Sequence, residues 1–149
     1  MSFQGCTGTG KTFAAQTIVK NLYKAEKSKY VHWFKATEVF TREDKVKDYQ
    51  DQVRYYIKRN LRLCPHQLFV FDEVEDMPEG VLDALKPFVD FAGPEEDVEY
   101  RKAIYILLGT SHHSDIKLIK NLYLLDNTYY QLGSLNQQNF VSLHKVTDL

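Results

Sequence analysis

The chain has 149 residues, a formal net charge of −1, 26% charged and 44% hydrophobic residues. That length suits one domain with a substantial core, and the balance is ordinary for a globular chain. The near-neutral charge argues against a polybasic nucleic-acid tract or a segment held on an anionic membrane. Two cysteines, Cys6 and Cys64, are too few for a disulfide framework or a cysteine metal cluster.

In chain order, residues 1–4 leave room for only a stub of strand. Gly5-Cys6-Thr7-Gly8-Thr9-Gly10-Lys11-Thr12 then matches GxxxxGK[ST] at every fixed position. A glycine-rich turn of that spacing aims several backbone N–H groups into one concavity. The helix that follows adds its positive end, and phosphate oxygens are cradled between them. In this arrangement Gly5, Cys6, Thr7, Gly8, Thr9 and Gly10 form the cradle, Lys11 reaches the outer phosphates, and the Thr12 hydroxyl ligates Mg²⁺. Residues 13–23 place Phe13, Ala14, Ile18, Leu22 and Tyr23 near one helical face, which predicts a helix buried on that side.

Residues 24–29 read as a polar connector, followed by the β-rich run Tyr30-Val31-His32-Trp33-Phe34. A charged loop at residues 41–47 leads into a helix whose apolar residues, Val46, Tyr49, Val53, Tyr56, Ile57 and Leu61, recur with a roughly 3.6-residue period. Pro65 interrupts that pattern. Leu68-Phe69-Val70-Phe71 is a continuous apolar run ending in Asp72-Glu73, as expected of a parallel strand buried on both faces. Leu82, Leu85, Phe88 and Val89 predict a further helix, and Gly93-Pro94 opens an acidic loop. Ala103-Ile104-Tyr105-Ile106-Leu107-Leu108 is the second apolar run. Ile116, Leu118, Ile119, Leu122 and Leu125 fit one amphipathic helix, whereas residues 127–149 carry no assignable pattern. Strands alternating with helices predict an α/β chain with a mainly parallel sheet and helices on both sides.

The apolar run ending in two acids is the Walker B arrangement, the expected companion of the glycine-rich loop. A doubly buried strand delivers side chains rigidly to its carboxyl end, where ligands bind in open α/β sheets. Asp72 is the candidate Mg²⁺ holder, chiefly through water, and Glu73 the candidate general base for an attacking water. At the end of the next strand, Thr110 or Ser111 is the candidate polar residue near the γ-phosphate. His112-His113 lack partner ligands and read as a solvated pair rather than a metal site.

With both motifs placed, the chain resembles a torsin, a family of AAA+ ATPases related to the Clp-type chaperones. The resemblance rests on the GCTGTGKTF loop, Tyr30-Val31-His32, Tyr49-Gln50-Asp51-Gln52, Phe69-Val70-Phe71-Asp72-Glu73, and Leu82-Asp83-Ala84-Leu85-Lys86-Pro87-Phe88-Val89-Asp90. It covers approximately residues 2–108. It implies a three-layer α/β/α P-loop fold truncated at both ends, with a nucleotide-binding core at residues 1–110. Residues 111–149 stay poorly assigned, and the chain is expected to lack the last sheet strand, the second sensor and the helical lid. It further implies ATP and Mg²⁺ as ligands and assembly with related subunits. A membrane-anchored activator would contribute an arginine, and the setting would be the endoplasmic reticulum lumen and nuclear envelope. Two positions depart from the family pattern, which commonly has Asn where Thr12 and Thr110 stand here.

The leading expectation is an ATP-hydrolysing remodelling subunit, with Lys11 and Glu73 as catalytic residues. The alternative is a nucleotide-binding interaction module with little or no hydrolysis. A nucleic-acid-directed ATPase is disfavoured by the charge balance and the lack of a basic stripe. No targeting segment and no apolar run long enough to span a bilayer are visible in the sequence.

Overall fold

The computed structural model describes residues 1–23, 28–89, 100–110, 129–132 and 143–146. The expected helix around residues 116–125, the acidic loop at Gly93-Pro94, Ser111 and His112-His113 lie outside the described residues.

Four strands form one parallel sheet: β1 (Ser2–Gln4), β2 (Val31–Lys35), β3 (Leu68–Asp72) and β4 (Ile104–Gly109), in the spatial order β1-β4-β3-β2. Helix α1 (Lys11–Tyr23) covers one face. The other face carries a short helix α2 (Ala36–Val39), the long helix α3 (Val46–Leu63) and a one-turn helix α4 (Lys86–Val89). The predicted three-layer α/β/α architecture is therefore present.

Period-two alternation divides the core between these layers. Leu68, Val70, Ile106 and Leu108 face α1 together with Phe3, Ala15 and Val19. Phe69, Phe71, Tyr105 and Leu107 face the opposite layer and meet Tyr49, Val53, Ile57 and Leu61 of α3. Both inner strands are thus buried on both sides, which is why they read as unbroken apolar runs. The aromatic residues stack across the strands in register. His32, Phe69 and Tyr105 are neighbours, with ring centroids 4.9 and 5.5 Å apart, and Phe34 stacks on Phe71 at 4.9 Å.

Three local expectations change. The buried side of α1 is formed by Ala15 and Val19, not by Phe13, which is 74% exposed, or Leu22, which also points to solvent. Apolar and small residues occur nearly all round this helix, so its periodicity does not single out one face. The segment around Leu82 and Leu85 is a 3₁₀ turn (Val81–Leu85) leading into α4, rather than one continuous α-helix. Gly80, with φ +91°, starts it, and Pro87 supplies no N–H to extend an α-helical ladder. Finally, β5 (Tyr129–Leu132) pairs antiparallel with β6 (Leu143–Val146), two strands within residues left unassigned from sequence. β5 runs within 8 Å of β1 without joining the hydrogen-bonded ladder of the four-stranded sheet. Among the described residues no helix is long and apolar enough to cross a membrane.

His32 ties α3 to the sheet. Gln67 donates its amide N–H to the Asn60 carbonyl at 3.1 Å, leaving Gln67 Oε1 to accept from His32 Nε2 at 2.8 Å. His32 Nδ1 is then the acceptor for the Tyr56 hydroxyl, 2.9 Å away. This tautomer uses both nitrogens of a neutral ring. Burial pulls the imidazole below its ordinary value of 6.5, with the Gln67 hydrogen bond opposing. The unfolded chain therefore takes up this proton at higher pH than the folded one, so the stabilisation is complete above pH 6.5 and is lost as pH falls towards the folded value. Thermal melts between about pH 7 and about pH 5.5 should show a falling Tm that His32→Gln flattens. Parallel slopes for the two proteins would exclude this linkage.

Candidate nucleotide site

The loop between β1 and α1 is built by its glycines. Gly8 and Gly10 both have φ +83°, a conformation that costs L-residues with a Cβ. Apart from chain neighbours, no atom lies within 4 Å of the Cβ position at either glycine, so the backbone conformation and not crowding calls for glycine there. The Thr9 N–H and hydroxyl both donate to the Cys6 carbonyl, at 3.3 and 2.8 Å, and close the turn. The Ala14 N–H donates to the Gly10 carbonyl at 2.8 Å and starts the helix. The Gly5 N–H donates to the Gly109 carbonyl at 3.3 Å and fixes the loop to the end of β4.

Gly109 was not anticipated from the sequence. A Cβ there would lie 2.6 Å from Gln4 Oε1 and 2.9 Å from Val74 Cγ2. The Gln4 and Val74 side chains fill the space that a side chain at Gly109 would need. Thr110 follows immediately and is partly exposed.

Lys11 opens α1, and its ammonium donates to the loop's own carbonyls, Gly5 at 2.7 Å and Cys6 at 2.9 Å. Thr12 Oγ1 stands 3.5 Å from Asp72 Oδ2. The loop and the acidic strand end, sixty residues apart in sequence, therefore meet at one place. Burial pushes the Asp72 carboxyl above its usual range, and the neighbouring Glu73 charge adds to this. Hydrogen bonds from the Glu73 N–H, the Trp33 side chain and Thr12 oppose the rise. A desolvated carboxylate beside a second acid is a place where a cation relieves charge repulsion. One hydroxyl and one carboxylate are hard oxygen donors, a set that fits Mg²⁺, which retains water and phosphate oxygens in its remaining positions.

Glu73 is held differently. Its φ of +59° is the left-handed value, and among the described residues it is the one non-glycine with positive φ. That conformation costs about 1–2 kcal/mol. Its Oε2 accepts from Thr37 Oγ1 at 2.6 Å, and its Oε1 lies 3.7 Å from Lys35 Nζ. Lys35 also pairs with Glu38 at 3.5 Å. Glu73 thus leans towards β2 and α2 instead of the phosphate loop.

Lys35, Thr37 and Trp33 are site residues missed from sequence. The signal was their place on β2 and the short helix that follows it, but it becomes informative only once β2 is known to lie beside β3. A cavity of about 510 Å³ also opens beside Thr37; Glu43, Glu75, Asp76 and Glu79 line it, a charge set that repels phosphate.

The chain is similar to known proteins. The torsin family model matches residues 1–71. A torsin-like protein of Caenorhabditis elegans is 29% identical over 165 aligned residues, covering 98% of this chain and 46% of its own length. A torsin-like protein of Drosophila melanogaster is 38% identical over 117 residues, covering 78% of this chain and 34% of its own. The chain thus spans less than half the length of either relative. Among solved structures, Hsp104 in a closed-state cryo-EM reconstruction of Hsp104:ATPyS and FITC casein superposes with a TM-score of 0.52. That match has 16% identity and covers 83% of this chain and 25% of the other, a likeness of fold. With its glycine-rich loop, its β1-β4-β3-β2 sheet and these relatives, the chain belongs to the torsin family and has the AAA+ fold.

Proposed function

We propose that the protein binds ATP with Mg²⁺ and hydrolyses it as an AAA+ remodelling subunit, with residues 1–110 as the nucleotide-binding core. The observation that carries this reading is the meeting of Thr12 with Asp72, 3.5 Å apart, directly beyond the loop that bears Lys11. Within the Gly5 to Gly10 loop the N–H groups of Cys6, Thr7, Gly8 and Gly10 receive phosphate oxygens, and Lys11 exchanges its two carbonyl partners for the outer phosphates. Thr12 and Asp72 would hold the metal, which when bound neutralises charge on the β- and γ-phosphate oxygens. Glu73 orients a water and takes its proton, and Thr110 approaches the γ-phosphate.

Membership of the torsin family supports further parts of the same reading. These are assembly with related subunits, a membrane-anchored activator that supplies an arginine, and a setting in the endoplasmic reticulum lumen and nuclear envelope. Calorimetric titration of the full chain should give Mg²⁺-dependent ATP binding that Lys11→Ala lowers by at least about tenfold, an ammonium–phosphate contact contributing on the order of 1.5–3 kcal/mol. Equal affinity in the variant would refute the loop assignment. Glu73→Gln should retain binding and lower phosphate release by about 10²–10⁴-fold in the activated assembly. An unchanged rate would remove Glu73 from the chemistry.

A second reading, nucleotide binding with little hydrolysis, is favoured by one observation: the Glu73 carboxylate is engaged by Thr37 and Lys35 on the far side from the loop. The two readings part at Thr37→Val, which deletes the 2.6 Å hydrogen bond. If Glu73 is the base, phosphate release should rise by up to about tenfold with ATP affinity unchanged, the size of one hydrogen bond to a charged group. A rate that stays at background in this variant supports the binding module.

A further inference from the structure

The net charge of −1 conceals two opposite blocks. Residues 52–71 hold Arg54, Lys58, Arg59 and Arg62 and no acid, whereas residues 72–79 hold five acids and no lysine or arginine. The basic block occupies the C-terminal half of α3. There Tyr55, Arg59, Arg62 and Leu63 lie three or four residues apart and share the outward face, opposite the buried stripe of Tyr49, Val53, Ile57 and Leu61. Tyr55 is 68% and Leu63 78% exposed, and neither belongs to a core cluster. Two apolar side chains flanking two guanidinium groups make a mixed surface that no part of this chain covers.

The acids gather at the other end of the helix. Glu75, Asp76 and Glu79 line the cavity of about 510 Å³ together with Glu43, which lies just ahead of α3. The Gln50 side chain donates to the Gly80 carbonyl at 2.7 Å and fixes that segment to the first two turns of α3. Phe40, Met77 and Pro78 give the cavity an apolar part. Among the described residues no lysine or arginine lines it, and nearby Arg42 is already paired with Asp44 at 2.8 Å. Glu75 Oε2 is buried without a hydrogen-bond partner among the described residues, a condition that favours an incoming cation. Arg59 of the same chain cannot reach it, since Val46 and Arg59 stand about 20 Å apart along the helix axis.

We propose that the outward face of α3 docks into the acidic cavity of a second copy of the chain, head to tail. The Arg59 guanidinium meets the carboxylates as a forked donor, while Tyr55 and Leu63 meet the apolar part of the cavity. The two surfaces of the contact differ, so it is heterologous and propagates into a ring or a filament. The inference gives residues to the assembly part of the proposed function and does not rest on nucleotide binding.

Sedimentation velocity on the full chain without nucleotide tests this. Association should appear at about 50 mM salt and weaken steeply by about 500 mM, as paired exposed charges are screened. Arg59→Glu and Glu79→Lys, both at exposed positions, should each raise the dissociation constant by about tenfold or more with the melting temperature unchanged. Mixed in equal amounts, the two variants should form a dimer and nothing larger, because each retains the surface that the other has lost. Both changes in one chain should restore self-association. A wild-type chain that stays monomeric at about 100 µM in low salt overturns the proposal. Flotation of that monomer with phosphatidylserine vesicles would assign the α3 face to an anionic membrane instead. A mixture that stays monomeric overturns the head-to-tail contact. Association that both single variants leave intact overturns it too, while assembly with related subunits then stands on another surface.

Discussion

Burial of β3 on both of its faces is the constraint from which the site follows. Phe69 and Phe71 are locked into one layer, and Leu68 and Val70 into the other, so the strand has no freedom to rotate or slip. A one-residue slip would exchange the layers and force two phenylalanines into the space filled by Leu68 and Val70, overpacking of a kind that costs typically about 1–3 kcal/mol. Asp72 and Glu73 stand at the end of this strand and inherit its rigidity. Without it, Thr12 and Asp72 would be joined only by a long, partly exposed hydrogen bond.

The loop is positioned by a different device. β1 is only three residues long, too short to hold a turn by itself. The empty Cβ position at Gly109 leaves room for the Gln4 and Val74 side chains, and the Gly5–Gly109 hydrogen bond fastens the first loop residue to β4. Gln4 is itself buried and donates to Ser2 Oγ at 2.8 Å, so the polar groups under the loop have partners. Sheet packing and one close backbone contact together bring α1 and the acidic strand end to a common edge.

These causes also separate what the sequence disclosed from what it concealed. Uninterrupted apolar runs mark doubly buried parallel strands, and β3 and β4 lie within a residue or so of where those runs placed them. The spacing of Tyr49, Val53, Ile57 and Leu61 located α3 and its inner face correctly. The loop's glycines were legible as a tight turn, because the left-handed φ of +83° at Gly8 and Gly10 favours glycine there. Helix α1 offered no comparable signal, since Phe13, Ala14, Ile18, Val19 and Tyr23 together surround its axis and residue type alone does not choose a face. Trp33, Lys35 and Thr37 stayed hidden for another reason: their meaning depends on which strand lies beside β2 and in what register. A local pattern carries neither piece of information.

The two acids at the end of β3 are adjacent in sequence yet meet opposite physical demands. Asp72 continues the strand, points to the α1 side and is gripped by donors that suit a fixed anion. Glu73 takes the left-handed conformation, and that backbone turn carries its side chain across to Thr37 and Lys35. The turn costs free energy that the short hydroxyl–carboxylate bond and the lysine help to offset. A carboxylate held in this way keeps its charge apart from Asp72, reducing the repulsion that already burdens that partly buried group. Moving Glu73 towards the loop would forfeit those partners and increase the repulsion unless positive charge arrived at the same time. The geometry would therefore couple the position of one acid to any cation that the other came to hold, with β2 as the element that registers the exchange.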